Sequence, residues 1–135
     1  GITRGGNVPA TIISNMTGIR CEALKVSLRD SQNGEESESN LWMAEDAYNG
    51  KNILIVDDIN DTGATFNWIM QDWQSGCLPN SEAWDNVWGN NVKFAVLTEN
   101  LASDFHHTNF YAHEINKTEE DVWLVYPWEC VGQYL

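Results

Sequence analysis

The chain has 135 residues, of which 42% are hydrophobic and seven are Trp, so it can bury a core as one domain. This composition excludes a disordered chain, and no apolar run approaches the length of a membrane span. The net charge of −13 argues against binding to a nucleic-acid backbone. Three Cys without metal-binding spacing predict reduced thiols and a cytoplasmic protein.

The first residues predict a strand, a glycine loop and a helix. Gly1 to Thr3 is typical of the end of a strand, and Arg4-Gly5-Gly6 follows as a loop. Pro9 suits the first turn of a helix and Gly18 suits its end. The stripe that this helix would bury is Val8, Ile12 and Met16.

The next segment predicts a strand and then a long loop. Residues 21–28 alternate between apolar and other side chains, which favours a strand. Residues 29–49 are rich in Ser, Asn and Glu and show no clean period, so we expect a loop or flap. Trp42 and Met43 are the side chains that would hold a flap down. The alternative is a solvated acidic loop with one packed Trp.

Residues 52–66 predict a buried strand, an acidic pair, a loop of small residues and a helix. The strand is Ile53 to Val56, and Asp57 and Asp58 follow it directly. The helix after the loop shows an apolar face at i, i+3, i+4 and i+7, formed by Phe66, Ile69, Met70 and Trp73.

This order of elements is suited to a phosphorylated sugar. Backbone N–H groups at the start of a helix bind phosphate, and Gly63 lets the backbone come close to it. Thr62 and Thr65 add hydroxyl donors. The acids would repel a phosphate but accept hydrogen bonds from a ribose diol. The loop has neither the lysine of a P-loop nor a G-x-G-x-x-G pattern.

The rest of the chain predicts two more strands. Residues 74–91 are punctuated by Gly and Pro, and Trp84 and Trp88 indicate one helical turn that packs or meets a partner. Strands are expected at Val92 to Thr98 and, at an edge, at Phe110 to Ile115. Adjacent His106 and His107 diverge, so we interpret them as loop residues and not as metal ligands.

The central stretch resembles the phosphoribosyl pyrophosphate (PRPP) motif of the type I phosphoribosyltransferases. That motif is an apolar run, two acids, two variable residues, and Asp-Thr-Gly with a hydroxyl residue. Here it reads Ile53 to Val56, Asp57-Asp58, Ile59-Asn60 and Asp61 to Thr65. The alternative is another doubly wound α/β protein with an acidic strand end, such as a response-regulator-like domain.

The resemblance implies a role for each part of the motif. Asp57 and Asp58 would hold the ribose hydroxyls. They would also hold Mg²⁺, with the bound PRPP or a water molecule between the carboxylates and the ion. The 5-phosphate would lie on the loop formed by Asp61, Thr62, Gly63, Ala64 and Thr65. Asp61 would also be the general base that faces the base's N7. The Arg-Gly-Gly loop resembles the family's pyrophosphate loop, with Arg4 and Gly5 as ligands and a cis peptide at Arg4–Gly5.

The segment Asp121 to Glu129 looks like the purine hood of bacterial xanthine-guanine phosphoribosyltransferases. The resemblance implies that Trp123 stacks on the base and that Leu124 offers main-chain contacts; the alternative is a core Trp in a terminal strand. Asn100 stands where the family's enzymes for 6-oxopurines place a lysine. Glu129 is a further candidate for a second metal.

Taken together, the sequence predicts one α/β domain over residues 1–135, Rossmann-like, with a mostly parallel central sheet flanked by helices. From the resemblance we expect a domain without the family's usual N-terminal element, with a lid at about residues 29–49 and a hood at about residues 99–135. The implied activity is that of a glycosyltransferase acting on PRPP and a purine base in nucleotide salvage, with Mg²⁺ as cofactor. No nucleic acid and no membrane is expected as a partner, and we expect a dimer or tetramer. The alternatives are a non-catalytic PRPP- or nucleotide-binding regulator and an inactive truncated remnant.

Overall fold

A computed structural model describes residues 1–26, 41–78 and 81–129 of the chain. The elements in chain order are β1 (Ile2–Thr3), α1 (Asn7–Thr17), β2 (Leu24–Lys25), α2 (Leu41–Tyr48), β3 (Ile53–Asn60), α3 (Ala64–Gly76), a 3₁₀ helix (Glu82–Asn86), β4 (Val92–Asn100) and β5 (Phe110–Ile115). Strands and helices alternate over most of this order, as expected of an α/β domain.

All pairs of strands are parallel, which confirms the predicted fold class. β3 pairs with β4 and β4 with β5, while β1 and β2 form a second, two-stranded sheet. Between β3 and β4 the register joins Ile53 to Val92 and Asn60 to Glu99. The carboxyl ends of β3, β4 and β5 therefore reach the same edge, where ligands bind in open sheets of this kind.

The core lies between α3 and the larger sheet and confirms the predicted helical face. Phe66, Ile69 and Trp73 are buried, and the Phe66 ring lies 4.8 Å from the Phe94 ring of β4. The predicted turn at Trp84 is the 3₁₀ helix. Trp84 is buried and stacks on Trp88 at 5.5 Å, so this turn packs into the core.

The prediction of which residues α1 buries was wrong. Ile12 is 53% exposed and Met16 is 82% exposed, whereas Pro9 and Ala10 are buried. The physical reason is a close approach of the helix start to β3. A Cβ at Gly6 would collide with the carbonyl oxygen of Val56, so only small residues fit at this contact.

The predicted lid was wrong for its second half, because residues 41–48 form α2. Met43, Ala44 and Ala47 are buried, and the helix packs against α3. Two alanines allow this close packing, and their spacing from Met43 is a helical signal that the polar composition concealed. The first half of the predicted lid lies outside the described residues.

Other expectations about the fold have mixed outcomes. β5 confirms the predicted edge strand, but of the predicted strand at 21–28 only Leu24–Lys25 is a strand among the described residues. His106 and His107 lie in a loop, as expected. Cys21 and Cys77 are free thiols, and Cys130 lies outside the described residues. Within the described ranges no helix is long and apolar enough to cross a membrane.

Candidate functional site at the carboxyl ends of the strands

The acidic pair lies near the carboxyl end of β3 and its two members differ in environment. Asp57 is buried and Asp58 is partly exposed. Asp57 Oδ1 accepts a hydrogen bond from the Asp58 amide at 2.9 Å, and Asp58 Oδ1 accepts one from the Ile59 amide at 2.7 Å. Both carboxylates are therefore held by the main chain.

Burial, and then the neighbouring charge of Asp58, raise the pKa of Asp57 to about 8. The amide hydrogen bond from Asp58 acts in the opposite direction but does not offset the loss of hydration. At neutral pH, Asp57 is therefore the member of the pair that holds a proton. A protonated carboxyl can donate one hydrogen bond and still accept others.

The loop after β3 forms one wall of a cleft with a volume of about 210 Å³. Its lining is continuous in sequence, from Asp57 to Phe66. α3 begins at Ala64 and has no side-chain cap, although Thr62 Oγ1 accepts a hydrogen bond from the Ala64 amide at 3.2 Å. An uncapped helix start beside a concave loop has the geometry of an anion site.

Gly63 is required by its backbone conformation and by a neighbouring segment of the chain. Its φ of +90° is a left-handed conformation that favours glycine. A Cβ at this position would lie 2.5 Å from the Phe105 amide nitrogen, so the close approach is to the protein's own main chain. The Asp104 amide also donates to the Thr62 carbonyl oxygen at 2.9 Å, which fixes the loop against residues 103–105.

The Arg4–Gly6 loop lies directly against the acidic pair. A Cβ at Gly5 would collide with Oδ2 of Asp58. The Arg4 side chain is exposed, and α1 begins after Gly6 without a side-chain cap. A cis peptide is present at Thr3–Arg4, so the predicted position, Arg4–Gly5, was wrong by one bond.

The segment Tyr126 to Glu129 also lies against the ends of the strands. The Tyr126 hydroxyl lies 2.6 Å from Thr98 Oγ1 and donates to the Asp58 carbonyl oxygen at 3.3 Å. Burial, together with a hydrogen bond to Asp58, raises the pKa of Glu129. Glu129 is therefore beside the acidic pair.

The predicted base-stacking residue is exposed, which excludes the alternative of a core Trp. Trp123 is 73% exposed, and Leu124 beside it is partly buried. The Lys117 ammonium lies 5.3 Å from the centre of the Trp123 ring and forms an ion pair with Asp61 Oδ1 at 2.9 Å. Sequence reasoning missed Lys117, because no periodicity or motif relates it to Asp61 or Trp123.

Asn100 was expected to contact the base, but in the structure its side chain makes hydrogen bonds within the protein. It is buried, and its Nδ2 donates to the Asp61 carbonyl oxygen at 2.7 Å. Its Oδ1 accepts from the amides of Ala102 at 3.2 Å and Lys117 at 3.1 Å. The amide of Asn100 is thus used within the protein, because three main-chain segments converge on it.

A larger cavity, of about 300 Å³, contains no residue of the Asp57–Thr65 stretch. Its lining is mainly apolar and includes Ile2, Leu24 and Trp73. The convergent polar groups are therefore at the smaller cleft. The fold and this cleft define an α/β protein with a polar cleft at the carboxyl ends of parallel strands, the edge where ligands bind in open sheets of this kind.

Residues 1–125 match the family model described as the phosphoribosyl transferase domain, and the chain belongs to this family. It is 26% identical over 141 residues to a xanthine-guanine phosphoribosyltransferase of Roseobacter denitrificans, in a match that covers 99% of the chain and 69% of that protein. It is 27% identical over 136 residues to the enzyme of that name from Gluconobacter oxydans, with coverage of 99% and 69%.

Two solved structures show the same fold. The purine phosphoribosyltransferase from Pyrococcus horikoshii superposes with a TM-score of 0.60 at 19% identity, over 96% of this chain and 74% of that one. The xanthine-guanine-hypoxanthine phosphoribosyltransferase of Helicobacter pylori gives 0.57 at 14% identity, over 98% and 74%. The predicted resemblance to the family is therefore confirmed.

Proposed function

We propose that the protein transfers the 5-phosphoribosyl group of PRPP to a ring nitrogen of a purine base and releases pyrophosphate. The observation that carries this proposal is the meeting of three loops at the end of β3. The Arg4–Gly6 loop touches Asp58, the Asp61–Thr65 loop continues from the acidic pair, and Tyr126 of the hood donates a hydrogen bond to the Asp58 carbonyl oxygen. PRPP has three parts to be held, namely pyrophosphate, ribose diol and 5-phosphate. The similarity to xanthine-guanine and purine phosphoribosyltransferases favours a purine as acceptor.

The 5-phosphate binds in the cleft along Asp61 to Thr65. The uncapped start of α3 supplies N–H donors and the positive end of the helix dipole. The ribose hydroxyls bind to the acidic pair. The protonated Asp57 can both donate and accept hydrogen bonds. This division places the anion on the N–H groups and the diol on the carboxyls, so like charges are kept apart.

The pyrophosphate binds to the Arg4–Gly6 loop. Arg4 is exposed and supplies a guanidinium that can bind an anion through two parallel hydrogen bonds. Gly5 lies close enough to Asp58 that the leaving group and the ribose diol are bound side by side. The transfer breaks the bond between C1 of the ribose and the pyrophosphate oxygen, so this arrangement holds both sides of the bond that breaks.

Asp61 is the proposed general base. It is partly exposed, lies at the cleft and is held by Lys117 and Asn100. Its carboxylate is the group that accepts the N7 proton as the glycosidic nitrogen attacks the ribose. Trp123 stacks on the plane of the base, and Leu124 supplies main-chain contacts to its edge.

The donor set at this edge fits Mg²⁺ that binds together with PRPP. Mg²⁺ in such sites is held by one or two carboxylates plus substrate phosphates, and it keeps several waters. Asp57, Asp58 and Glu129 provide carboxyl oxygens here, but the described residues form no metal-binding group of three or more His, Cys, Asp or Glu. When bound, the ion neutralises charge on the departing pyrophosphate.

The proposal is tested with a panel of bases, PRPP and Mg²⁺, followed by pyrophosphate release. We expect turnover with at least one purine and none without a base. The variant Asp57→Asn/Asp58→Asn should bind PRPP more weakly by roughly 1–3 kcal/mol for each hydrogen bond to the ribose that is lost.

The matched control is Glu82→Gln/Asp85→Asn, which removes two exposed acids in the 3₁₀ helix before β4. It should bind PRPP as the wild type does. An absence of turnover with every purine would contradict the proposed reaction. Equal PRPP affinity of the two double variants would contradict the role of the acidic pair.

A further inference from the structure

The Tyr126 hydroxyl joins the hood to two strands of the larger sheet. It lies 2.6 Å from Thr98 Oγ1 in β4, and it donates to the Asp58 carbonyl oxygen in β3 at 3.3 Å. Thr98 is only 3% exposed. The contact between Tyr126 and Thr98 is therefore shielded from water on the Thr98 side, where a hydrogen bond is stronger than in solvent.

The two hydrogen bonds have a fixed direction. A carbonyl oxygen can only accept, so the Tyr126 hydroxyl donates its one proton to Asp58. The hydroxyl oxygen then accepts from the hydroxyl of Thr98. The result is a chain of hydrogen bonds from Thr98 through Tyr126 to the main chain of Asp58. Hydrogen bonds in such a chain strengthen one another.

The turn that carries Tyr126 holds its side chain in place. The Glu129 amide donates to the Tyr126 carbonyl oxygen at 2.9 Å, and Glu129 Oε2 accepts from the Tyr126 amide at 3.3 Å. Pro127 restricts the backbone at the second position of this turn. The Tyr126 ring also stacks on Trp128, with the ring centres 5.1 Å apart. The hydroxyl is therefore presented by a preorganised segment.

The two ends of this connection lie at the two proposed substrate sites. At one end is Asp58, which is proposed to bind the ribose diol and whose carboxylate lies against the Arg4–Gly6 loop. At the other end is the hood, in which Trp123, three residues before Tyr126, is proposed to stack on the base. A change in the contacts of Tyr126 would therefore shift one substrate relative to the other.

We propose that Tyr126 is a positioning residue for the transfer, because it sets the distance between the ribose and the base. This inference rests on the proposed function. The reaction forms a bond between C1 of the ribose and a nitrogen of the base, so the two substrates must be held at a reacting distance. The hydroxyl is bound by protein atoms on both sides, and it acts through Asp58 and the hood.

The first test is Tyr126→Phe, which keeps the ring and its stack on Trp128 and removes only the hydroxyl. We expect kcat to fall by about 10- to 100-fold, because a small misplacement of reacting groups is costly. KM for PRPP and for hypoxanthine should change little, because each substrate keeps its own contacts. A kcat at the wild-type level, or a fall in kcat with an equal rise in both KM values, would overturn the inference.

The second variant, Thr98→Val, tests the other bond of the chain. Valine has nearly the shape of threonine and is a good strand former. Because Tyr126 keeps its bond to Asp58, kcat should fall less than in Tyr126→Phe. The double variant should have the kcat of Tyr126→Phe, since both changes break the same chain. Losses that multiply in the double variant would overturn the role of this chain.

Thermal unfolding of each variant shows whether it is folded. If Tyr126→Phe does not fold, the same separation of kcat from KM is required of Thr98→Val, and its absence there would overturn the inference.

The matched control is Tyr48→Phe. Tyr48 is also partly buried, and its ring packs against Trp84 at 5.8 Å, but it lies in α2 and outside the cleft. This variant should keep the wild-type kcat. A fall in kcat equal to that of Tyr126→Phe would show that kcat follows general stability, and it would overturn the inference.

Calorimetry separates this inference from the proposed reaction. Ribose 5-phosphate carries the diol and the 5-phosphate but no pyrophosphate leaving group, so it can bind beside hypoxanthine without transfer. If Tyr126 links the two sites, ribose 5-phosphate should raise the affinity of the wild type for hypoxanthine. This effect should be lost in Tyr126→Phe and retained in Tyr48→Phe.

The outcomes for the two proposals are distinct. A wild type without turnover that shows this linkage, with the linkage lost in Tyr126→Phe, would support Tyr126 and contradict the transferase. A wild type that turns over, with equal kcat and equal linkage in Tyr126→Phe, would overturn only the inference about Tyr126. A wild type that turns over no base and binds neither compound would overturn both.

Discussion

At the scale of single residues, two adjacent aspartates have different properties because the strand turns them to different surroundings. Asp57 is only 9% exposed, and this burial is the main cause of its raised pKa. Asp58 lies against the Arg4–Gly6 loop and the hood. The motif shows two carboxylates, but only their burial shows which one carries the proton.

Asp57→Asn should change how stability depends on pH. The pKa of Asp57 is raised from 3.8 to about 8 in the folded protein. Its contribution to the free energy of unfolding is therefore fully present below pH 3.8 and is lost as pH rises toward 8. The variant lacks this titration. Between these limits the wild type should lose up to about 1.4 kcal/mol of unfolding free energy per pH unit relative to the variant.

Urea denaturation of both proteins at pH 5, 6, 7 and 8 measures this difference. The side-chain amide that the variant carries in place of the Asp57 carboxyl can still accept the hydrogen bond from the Asp58 main chain, so the local structure is retained. Parallel stability curves for the two proteins would show that Asp57 is ionised at neutral pH.

At the scale of elements, the hood is attached to the sheet at one end and open at the other. Tyr126 binds Thr98 and the main chain of Asp58, and its ring stacks on Trp128 at 5.1 Å. Trp123, three residues earlier, is exposed. The hood therefore holds an aromatic surface near the cleft without burying it, which suits a planar ligand.

Trp123→Ala should weaken base binding and leave PRPP binding nearly unchanged. Stacking of a base on an aromatic side chain contributes roughly 1–3 kcal/mol in nucleic-acid sites. The affinity for hypoxanthine should therefore fall by about one to two powers of ten. Because the side chain is exposed, the free energy of unfolding should change little.

Equilibrium binding of each ligand measures the two effects separately. Trp42→Ala is the control, since Trp42 is also partly exposed but lies in α2. A loss of PRPP affinity in Trp123→Ala equal to the loss of base affinity would contradict the stacking role.

At the scale of the whole molecule, the proposed function requires a chain with a net charge of −13 to bind a strongly anionic substrate. The long-range field repels PRPP, whereas the local N–H groups, Arg4 and the accompanying cation attract it. Local attraction and long-range repulsion respond differently to salt. The Debye length falls from about 30 Å at 0.01 M to about 8 Å at 0.15 M ionic strength.

The association rate of PRPP at fixed Mg²⁺ should therefore rise as NaCl is increased over this range. Screening removes the repulsion at long distance, while the contacts within the cleft are screened much less. Stopped-flow measurements give the rate, and uncharged hypoxanthine, whose rate should be nearly flat, is the control. A rate for PRPP that falls with salt would show that a local positive field dominates the approach.

The sequence alone determined the family, the parallel α/β class, the face of α3 and the place of the acidic pair. These features are local: an apolar run, a helical period and a contiguous motif each depend on neighbouring residues. The polar composition around α2 and the small residues at the start of α1 misled the same reasoning, because burial there is decided by packing against distant elements.

Only the tertiary structure decided the arrangement of the residues around the proposed base site. Lys117, Asp61 and Asn100 belong to three separate segments, and they meet because parallel strands end at one edge of the sheet. Gly63 was recognised as necessary from sequence, but its neighbour is the main chain of Phe105. Contacts between residues far apart in sequence leave no period or spacing in one chain, so the ion pair of Lys117 with Asp61 could be read only from the fold.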